Sequence, residues 1–493
     1  MTNKYCLILI ATACLSFTGC PGGGDGTGTP MEASSGAVVY KADQNTVGVF
    51  ELFLTSSGVK LNGPVVSGGS GVTSFALTPD KTSVVYIADQ TTAGVFELFQ
   101  VNIAAPGISV KLNGTLVSGG DVTSFAITPD GTSVVYLADQ RLDQVFEVFR
   151  VLFATPQAST LLNPALAAGR TINQTAVTPF AVTPDSTKVV YIADQDTLNV
   201  NELYQVAFSN PQNSTKLNVP LAAPKNVTDF VIAPNSAAVV YLADQNINGV
   251  FEIFPAPITG PGSATSLNPP LSAGQSVKAF APNTPALAIT PDNSAVIYTA
   301  DQITPGTIEL FRVLFAAPQS SVKLNGTLIA GGNVRSFTIA ANNSAVVYSA
   351  DQDIFGVVEL FRVPLTPVAA AQKVNPNFKA PQSVTAFAIT PDSSAAVYLA
   401  NQTVNTVVQL YRVPFSSLQP GPPVSTLLNG PLAVGGNVKS FSVTPNSTLV
   451  LYLADQQTFG VVELFAVNVG SPGTSSKLNG QLVPGGNVTA VTF

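Results

Sequence analysis

The chain has 493 residues, of which 46% are apolar and 10% are charged, and its formal net charge at pH 7 is −7. It contains no histidine and no tryptophan, and all three cysteines lie within the first 20 residues. The lack of histidine excludes Ser-His-Asp and Cys-His catalytic sites and histidine-bound zinc. An acidic chain without basic clusters is not expected to bind nucleic acid.

The N-terminal residues have the layout of an export signal. Lys4 provides a positive charge, a short apolar stretch runs from Cys6 to Leu15, and Ser16-Phe17-Thr18-Gly19-Cys20 follows. So short a stretch cannot span a bilayer as a permanent helix. The last residues of this segment resemble the lipobox of bacterial lipoproteins, in which the cysteine is diacylated, although Phe17 stands where leucine is usual.

The first 35 residues are therefore expected to direct export and attachment. We expect residues 1–20 to be a lipoprotein signal peptide with lipidation at Cys20; a plain secretory signal is the alternative. Residues 21–35 are rich in glycine and are expected to form a flexible tether. No later stretch is apolar enough to span a membrane. We expect an exported protein held in the outer membrane by lipid alone, facing the periplasm or the cell surface.

A short phrase, Tyr-x-Ala-Asp-Gln, recurs roughly every 50 residues along the rest of the chain. Its Asp first occurs at Asp43, and in the eighth of the nine copies Asn401 replaces it. Each copy holds four short apolar runs separated by turn residues. In the third copy the four runs are Ser124–Thr128, Ser133–Ala138, Val145–Val151 and Ser159–Leu162. Runs of this length and composition predict β-strands, and no helical period is present.

The two ends of the repeat region match the two halves of one copy. Residues 37–40 correspond to the second strand of a copy, and residues 488–493 correspond to the first strand. Pairing them would close a ring and remove two exposed sheet edges. The alternative, an open solenoid, needs capping repeats, and none is visible. The sequence predicts an all-β fold, a closed β-propeller of about nine four-stranded blades over residues 36–493.

The repeat also resembles a known family. Thr128-Pro129-Asp130-Gly131, followed by Ser133-Val134-Val135-Tyr136 and by the run 145–151, is similar to the WD40-like (PD40) propeller repeat of the TolB protein, where Ser-Pro-Asp-Gly is usual. The resemblance covers residues 36–493. It implies a periplasmic or surface propeller that acts in protein interaction, and it implies no chemistry. TolB also has a separate N-terminal α/β domain, for which we expect no room in this chain.

Most acidic residues follow the repeat, as an Asp in the phrase and a Glu eight residues later in the third strand. These pairs are Asp43 and Glu51, Asp89 and Glu97, Asp139 and Glu147, Asp194 and Glu202, Asp244 and Glu252, Asp301 and Glu309, Asp351 and Glu359, and Asp455 and Glu463. The eighth copy has Asn401 and Gln409 instead. Because both acids are neutralised in the same copy, the pattern indicates that the two side chains share an environment.

The acidic hairpins allow two interpretations. Two carboxylates eight residues apart, with a glycine between them, resemble the calcium loops of integrin-type propellers. The fifth copy fits best, so Asp244, Asn246, Asn248 and Glu252 are the predicted Ca²⁺ ligands, and Ca²⁺ is the one cofactor proposed. In the structural alternative, the Asp accepts hydrogen bonds from the hairpin backbone and the Glu caps a neighbouring loop. The variable middle positions of the hairpins favour this alternative.

No residue stands out as catalytic. Acids spread evenly over nine copies are what repetition produces, whereas an active site breaks the symmetry. We expect a monomer that is not an enzyme, a binding or scaffold module that presents one face of the ring to a protein or a glycan. A structural envelope component with calcium-stabilised loops is the alternative, and a glycan-active enzyme using paired carboxylates is a minor one. A cluster of unusual residues on adjacent blades would mark a binding face.

Overall fold

The computed structural model describes residues 37–282, 284–418 and 423–493, and these residues form β-structure with a single 3₁₀ turn at Phe415–Ser417. The predicted signal peptide, the lipidation site Cys20 and the tether lie outside the described residues. No helix within the described ranges is long and apolar enough to cross a membrane.

The strands form nine antiparallel sheets, and each sheet is one propeller blade with strands a to d running from the axis outward. Blade 1 consists of Val488–Thr492, Val39–Ala42 and Glu51–Leu54. Blades 2 to 4 consist of Val72–Leu77, Ser83–Thr92, Val95–Asn102 and Ser109–Lys111; of Val122–Ile127, Ser133–Ala138, Glu147–Leu152 and Thr160–Leu161; and of Phe180–Val182, Lys188–Ala193, Glu202–Ala207 and Thr215–Lys216.

Blades 5 to 9 continue the same order around the ring. Blades 5 to 7 consist of Val227–Ile232, Ala238–Ile247 and Val250–Pro257; of Leu287–Ile289, Ala295–Ala300, Glu309–Leu314 and Ala317–Lys323; and of Val334–Ile339, Ala345–Ala350, Glu359–Pro364 and Gln372–Lys373. Blades 8 and 9 consist of Val384–Ile389, Ala395–Val404, Val407–Pro414 and Thr426–Leu427; and of Val438–Val443, Leu449–Ala454, Glu463–Asn468 and Ser475–Lys477.

The outer strand is shortest in blades 1 and 5. In blade 1 it is a single bridge between Phe53 and Lys60, and in blade 5 the Leu267 N–H donates to the Ile253 carbonyl at 2.8 Å without forming a regular ladder. The all-β fold of nine four-stranded blades predicted from the sequence is thereby confirmed.

The ring closes in blade 1, as the sequence predicts. Strand Val488–Thr492 pairs antiparallel with Val39–Ala42, so that the two ends of the chain complete one sheet. The Gly480 N–H of blade 9 also donates to the Tyr40 hydroxyl of blade 1 at 3.0 Å. This pairing satisfies the backbone groups that an open end would leave exposed.

The repeated phrase explains the core. In every blade the Tyr of strand b stacks on an aromatic residue of strand c, as Tyr136 does on Phe149 with ring centroids 5.5 Å apart. The Tyr136 hydroxyl donates to Oε1 of Gln140 at 2.7 Å, so the buried phenol is not left without a partner. Strand b of blade 3, Ser133–Ala138, is buried along its whole length between neighbouring blades.

Successive strands run in opposite directions, which divides the loops between two faces of the ring. The b–c hairpins and the d–a links between blades lie on one face, named here the hairpin face. The a–b turns and c–d loops lie on the other, the turn face. On the turn face, the Thr128 hydroxyl donates to Oδ1 of Asp130 at 2.6 Å, and the Asp130 N–H donates to the Ser186 hydroxyl of the next blade at 3.0 Å.

Candidate functional site: the hairpin face

The hairpin Asp joins two segments of backbone. In blade 5, Oδ2 of Asp244 accepts from the Gly249 N–H of its own hairpin at 2.9 Å, and Oδ1 accepts from the Asn226 N–H of the preceding link at 2.6 Å. All eight hairpin Asp residues accept the same two kinds of bond. The Asp therefore anchors hairpin to link, as the structural interpretation expects.

The eighth copy shows why an Asp is used. Asn401 keeps the bond to the link, accepting from the Ser383 N–H at 2.6 Å, but its amide nitrogen donates to the Asn405 carbonyl at 2.7 Å. The other hairpins have a left-handed residue five positions after the Asp, such as Gly249 with φ of 77° or Gln144 with φ of 63°. Thr406 at this position has no positive φ. The Asn401 amide thus donates where the Asp carboxylate of the other blades accepts, and the hairpin of blade 8 adopts a different turn.

The Glu of each pair belongs to a different network. In six blades its carboxylate lies between strands c and d and forms an ion pair with a lysine of strand d. These pairs are Glu51 with Lys60, Glu97 with Lys111, Glu202 with Lys216, Glu309 with Lys323, Glu359 with Lys373, and Glu463 with Lys477. The Asp binds backbone and the Glu binds lysine, so the two acids do not share one environment.

Three blades lack the lysine of strand d. In blade 3, Leu161 takes its register position, and Arg141 from the hairpin binds Glu147 at 3.0 Å instead. In blade 8, Leu427 takes the position, and the acid is replaced by the neutral Gln409. In the eighth copy, the loss of the lysine is thus accompanied by the loss of the acidic charge.

Blade 5 is the remaining case. Ser266 occupies the lysine position, and Glu252 forms no ion pair within the described residues. Glu252 is 2% exposed and accepts from Nδ2 of Asn246 at 2.7 Å and from the Leu271 N–H at 3.2 Å. Of the four ligands predicted from the sequence, the structure brings Asn246 and Glu252 together. Asp244 uses its oxygens on backbone groups, and Asn248 is exposed at the hairpin tip.

The geometry around the acids does not by itself form a metal cluster. Within the described ranges, no three Asp, Glu, His or Cys side chains converge on one point. The predicted Ca²⁺ site therefore stays a prediction, and a cation at blade 5 would have to be held by one carboxylate together with neutral oxygens.

Exposed apolar side chains stand at the tips of the hairpins in every blade except blade 2. These residues are Val47, Leu142, Leu198, Ile247, Ile303, Ile354, Phe355, Val404 and Phe459. Phe355 and Phe459 are the most exposed of them, at 67% and 66%. Large aromatic side chains are rarely left this open on a protein surface without an interaction role.

The apolar side chains are concentrated on blades 6 to 9. We name this region the apolar arc. It consists of Ile303, Ile329, Ile354, Phe355, Val404, Val434 and Phe459. The Phe355 ring lies 3.1 Å from the point where a Cβ on Gly331 would stand, and Phe459 lies equally close over Gly435 at 3.2 Å. Glycines in the links thus leave room for the two rings.

Charge does not divide the hairpin face in the same way. Beyond the acid at the base, only the hairpins of blades 3, 4 and 7 carry charged residues, namely Arg141, Asp143, Asp196 and Asp353. Within the region of the arc, Asp353 is exposed in the hairpin of blade 7 and Lys379 is exposed in the link that follows it. The arc is therefore distinguished by its exposed apolar side chains and not by a lack of charge.

The inner strands of blades 4 and 6 are interrupted by insertions. Ile172 pairs with Ala193, and strand a resumes only at Phe180; Val277 pairs with Ala300, and strand a resumes at Leu287. Strand a of blade 5 lies between the two insertions. The ring is thus irregular on the inner side of blades 4 to 6.

Blade 5 also contains an acid that lies outside the repeat. Asp229 is 3% exposed, in a position where other blades have Ser or Ala, such as Ser74 or Ala386. Burial raises its pKa to about 6, although hydrogen bonds from the Phe230 N–H and the Thr178 hydroxyl of the blade 4 insertion lower it. Sequence reasoning missed this residue, and its departure from the repeat was the available signal.

Cations stand next to three of the hairpin acids at the inner rim. Lys278 binds Asp301 at 2.7 Å, and Lys439 lies 3.4 Å from Asp455. Arg335 binds Asp351 at 3.0 Å and stacks on Phe280 with its guanidinium carbon 4.5 Å from the ring centroid. Burial raises the pKa of both Asp301 and Asp351, but hydrogen bonds from these cations and from the backbone outweigh it, so both pKa values lie below the ordinary value.

Comparison with known proteins identifies the fold. No family model matches the chain, and no curated protein matches it. A eukaryotic initiation factor is similar in structure, with a TM-score of 0.55 and 11% identity over 93% of this chain and 98% of that chain. Dipeptidyl peptidase 4 from Porphyromonas gingivalis gives a TM-score of 0.49 and 11% identity over 73% of this chain and 53% of that chain. These likenesses show the fold alone.

The resemblance to TolB finds limited support. A putative TolB from Agrobacterium tumefaciens is among the similar structures, with a TM-score of 0.31 and 12% identity, over 50% of this chain and 81% of that chain. The shared feature is the propeller, and at this score the likeness carries no argument about function.

The sequence-based prediction that the chain is not an enzyme is wrong as an inference from this architecture. The structures with similar propellers include prolyl oligopeptidases, dipeptidyl peptidase 4, a puromycin hydrolase and an oligogalacturonate lyase, at identities of 9 to 14%. The argument from even spacing fails for a physical reason. The repeated acids hold loops together, so their symmetry says nothing about residues outside the repeat.

Proposed function

We propose that the protein is a binding module that holds a protein partner on the apolar arc. The observation that carries this proposal is the pair of exposed rings, Phe355 and Phe459, on two of four neighbouring blades whose hairpin tips all expose an apolar side chain. Exposed apolar patches of this kind mark interaction sites, and buried aromatic anchors supply most of the binding energy at protein interfaces.

The chemistry of the arc favours a protein over a glycan. A sugar is recognised largely through hydrogen bonds to its hydroxyl groups, and the backbone groups at the base of these hairpins are already used, for example by Asp351 and Asp455. The partner is expected to present a weakly charged apolar surface, so its binding should depend little on salt.

We further propose that residues 1–35 export the protein and tether it by lipid at Cys20. The support comes from the sequence, which places a positive residue, a short apolar stretch and a lipobox-like segment before Cys20.

The test uses the mature protein and two matched double variants. Phe355→Ser with Phe459→Ser removes both rings of the arc, and Leu198→Ser with Ile247→Ser removes two exposed apolar tips on the other side of the face. Partners are captured from envelope extract and cross-linked, and the affinity of each captured protein is then measured with purified components. We expect the arc variant to lose at least tenfold in affinity and the control to bind normally.

Two results would contradict the proposal. One is a partner whose affinity is the same for the arc variant and the wild type, or whose cross-links lie on the turn face. The other is binding of the wild type to protein-free vesicles of phosphatidylethanolamine and phosphatidylglycerol that is lost in the arc variant, since this would make the arc a membrane contact instead.

A further inference from the structure

We propose that blade 5 binds a cation between strands c and d, held by Glu252 together with the oxygens of Ser266 and Asn246. The site shares two residues with the calcium ligands suggested by the sequence but rests on a different observation, the way in which each blade balances its buried glutamate. It is independent of the protein-binding role of the apolar arc.

The glutamate of strand c is buried in a charged network around the ring. Glu147 is fully buried, and Glu202 and Glu359 are each 1% exposed. A carboxylate removed from water in this way is strongly destabilising unless an opposite charge or several hydrogen-bond donors compensate it. The repeat supplies that charge from strand d.

In every blade other than blade 5, the glutamate is paired with a cation or is itself replaced by a neutral residue. Six blades use a lysine of strand d, as Lys373 binds Glu359 at 2.9 Å. Blade 3 loses the lysine and gains Arg141, which binds Glu147 from the hairpin. Blade 8 loses the lysine and has Gln409 in place of the acid. In eight blades, therefore, a cation is present wherever the acid is present.

Blade 5 keeps Glu252 but has no protein cation paired with it. Glu252 is 2% exposed and Ser266, at the lysine register, is also 2% exposed. No Lys or Arg within the described residues forms an ion pair with Glu252, whose carboxylate accepts only from the neutral donors Asn246, Asn268 and the Leu271 N–H. The register position that supplies an ammonium group in six other blades is occupied here by Ser266, whose hydroxyl donates to the Asn268 carbonyl at 3.0 Å.

The donor atoms around Glu252 indicate which kind of cation would bind. The Ser266 hydroxyl and the Glu252 carboxylate offer oxygens, and a half-turn of the Asn246 amide, which now donates to Glu252 at 2.7 Å, offers a third. Oxygen donors of this kind suit a hard cation such as Ca²⁺. A single carboxylate implies weak binding, with a dissociation constant near the millimolar range of extracellular calcium modules.

The experiment compares the mature protein with three variants, using CaCl₂ as the probe and MgCl₂ and KCl as separate arms. Calorimetric titration is expected to show one Ca²⁺ per chain. At tenfold excess over the dissociation constant, the melting temperature should rise by about 1.5 °C for a domain of this size. Ser266→Lys restores the arrangement of the other blades, and it should raise the melting temperature and abolish the response.

Two further variants test where the cation binds. Glu252→Gln copies blade 8, so the protein should fold and lose the Ca²⁺ response. Lys373→Ser copies blade 5 in blade 7 and should add a second responding site next to Glu359. The proposal is overturned if no cation raises the melting temperature of the wild type. It is also overturned if Ser266→Lys and Glu252→Gln respond as the wild type does, because the cation would then bind elsewhere.

Discussion

Replacing Asp229 by asparagine should make the protein more stable at neutral pH. Asp229 is 3% exposed on the inner strand of blade 5, and burial raises its pKa from 3.8 to about 6. Asparagine has the same shape, and its oxygen can still accept from the Phe230 N–H, which lies 2.8 Å from the Asp carboxylate. The change therefore removes the titration while keeping the packing.

The direction of the pH effect on stability depends on whether the folded or the unfolded chain holds the proton. Between pH 3.8 and about 6 the folded protein keeps the Asp229 proton that the unfolded chain has lost, so the free energy of unfolding falls as the pH rises through this window. Above pH 6 the loss is complete and amounts to about 3 kcal/mol. For a domain of roughly 460 residues this corresponds to about 3 °C in melting temperature.

The assay is urea unfolding of the wild type and of Asp229→Asn at pH 4.5 and pH 8, followed by tyrosine fluorescence and circular dichroism. The stability difference between the two proteins should grow by about 2 kcal/mol between these pH values in favour of the variant. Asp143→Asn, at an exposed hairpin tip, is the matched control and should show no such change. Equal differences at pH 4.5 and pH 8 would refute the reasoning, because they would mean that Asp229 is ionised throughout.

Three further predictions follow from the fold. Asp89→Ala should lower the free energy of unfolding by about 2 kcal/mol or more, because backbone N–H groups of hairpin and link lose their acceptor, and Asp89→Asn should restore part of it. Phe149→Ala should cost about 3–5 kcal/mol through loss of the stack on Tyr136, measured by urea unfolding. Deleting residues 488–493 should open the ring, giving a lower melting temperature and rapid proteolysis of blade 1; an unchanged melting temperature would contradict closure by this strand.

Much of the fold could be predicted because the chain repeats. Nine copies of one phrase show which spacings are constant, and alternating apolar runs between turns predict strands without reference to any distant contact. The pairing of residues 488–493 with residues 37–40 followed from the same comparison. The role of the hairpin Asp was also within reach, since Asp in a turn commonly accepts from nearby backbone.

The candidate sites were harder to predict because they depend on contacts between segments that are far apart in the chain. Five of the six Glu–Lys pairs, such as Glu97 with Lys111, are fourteen residues apart, but this constant spacing does not by itself say that the two side chains meet across strands c and d. Asp229 interacts with Thr178 of an insertion in the neighbouring blade, which the repeat pattern does not describe.

The sequence by itself determined that this protein is a ring of nine similar sheets, because strand formation and turn chemistry are local and the repeat states them nine times. Only the tertiary structure decided where the residues that depart from the repeat lie and whether they are exposed or buried. Winding the chain into a ring puts Phe355 and Phe459, more than 100 residues apart in the chain, on one face, and pairing of strands leaves Glu252 and Ser266 both buried. Exposure, burial and charge balance arise from that winding, and they distinguish one blade from another.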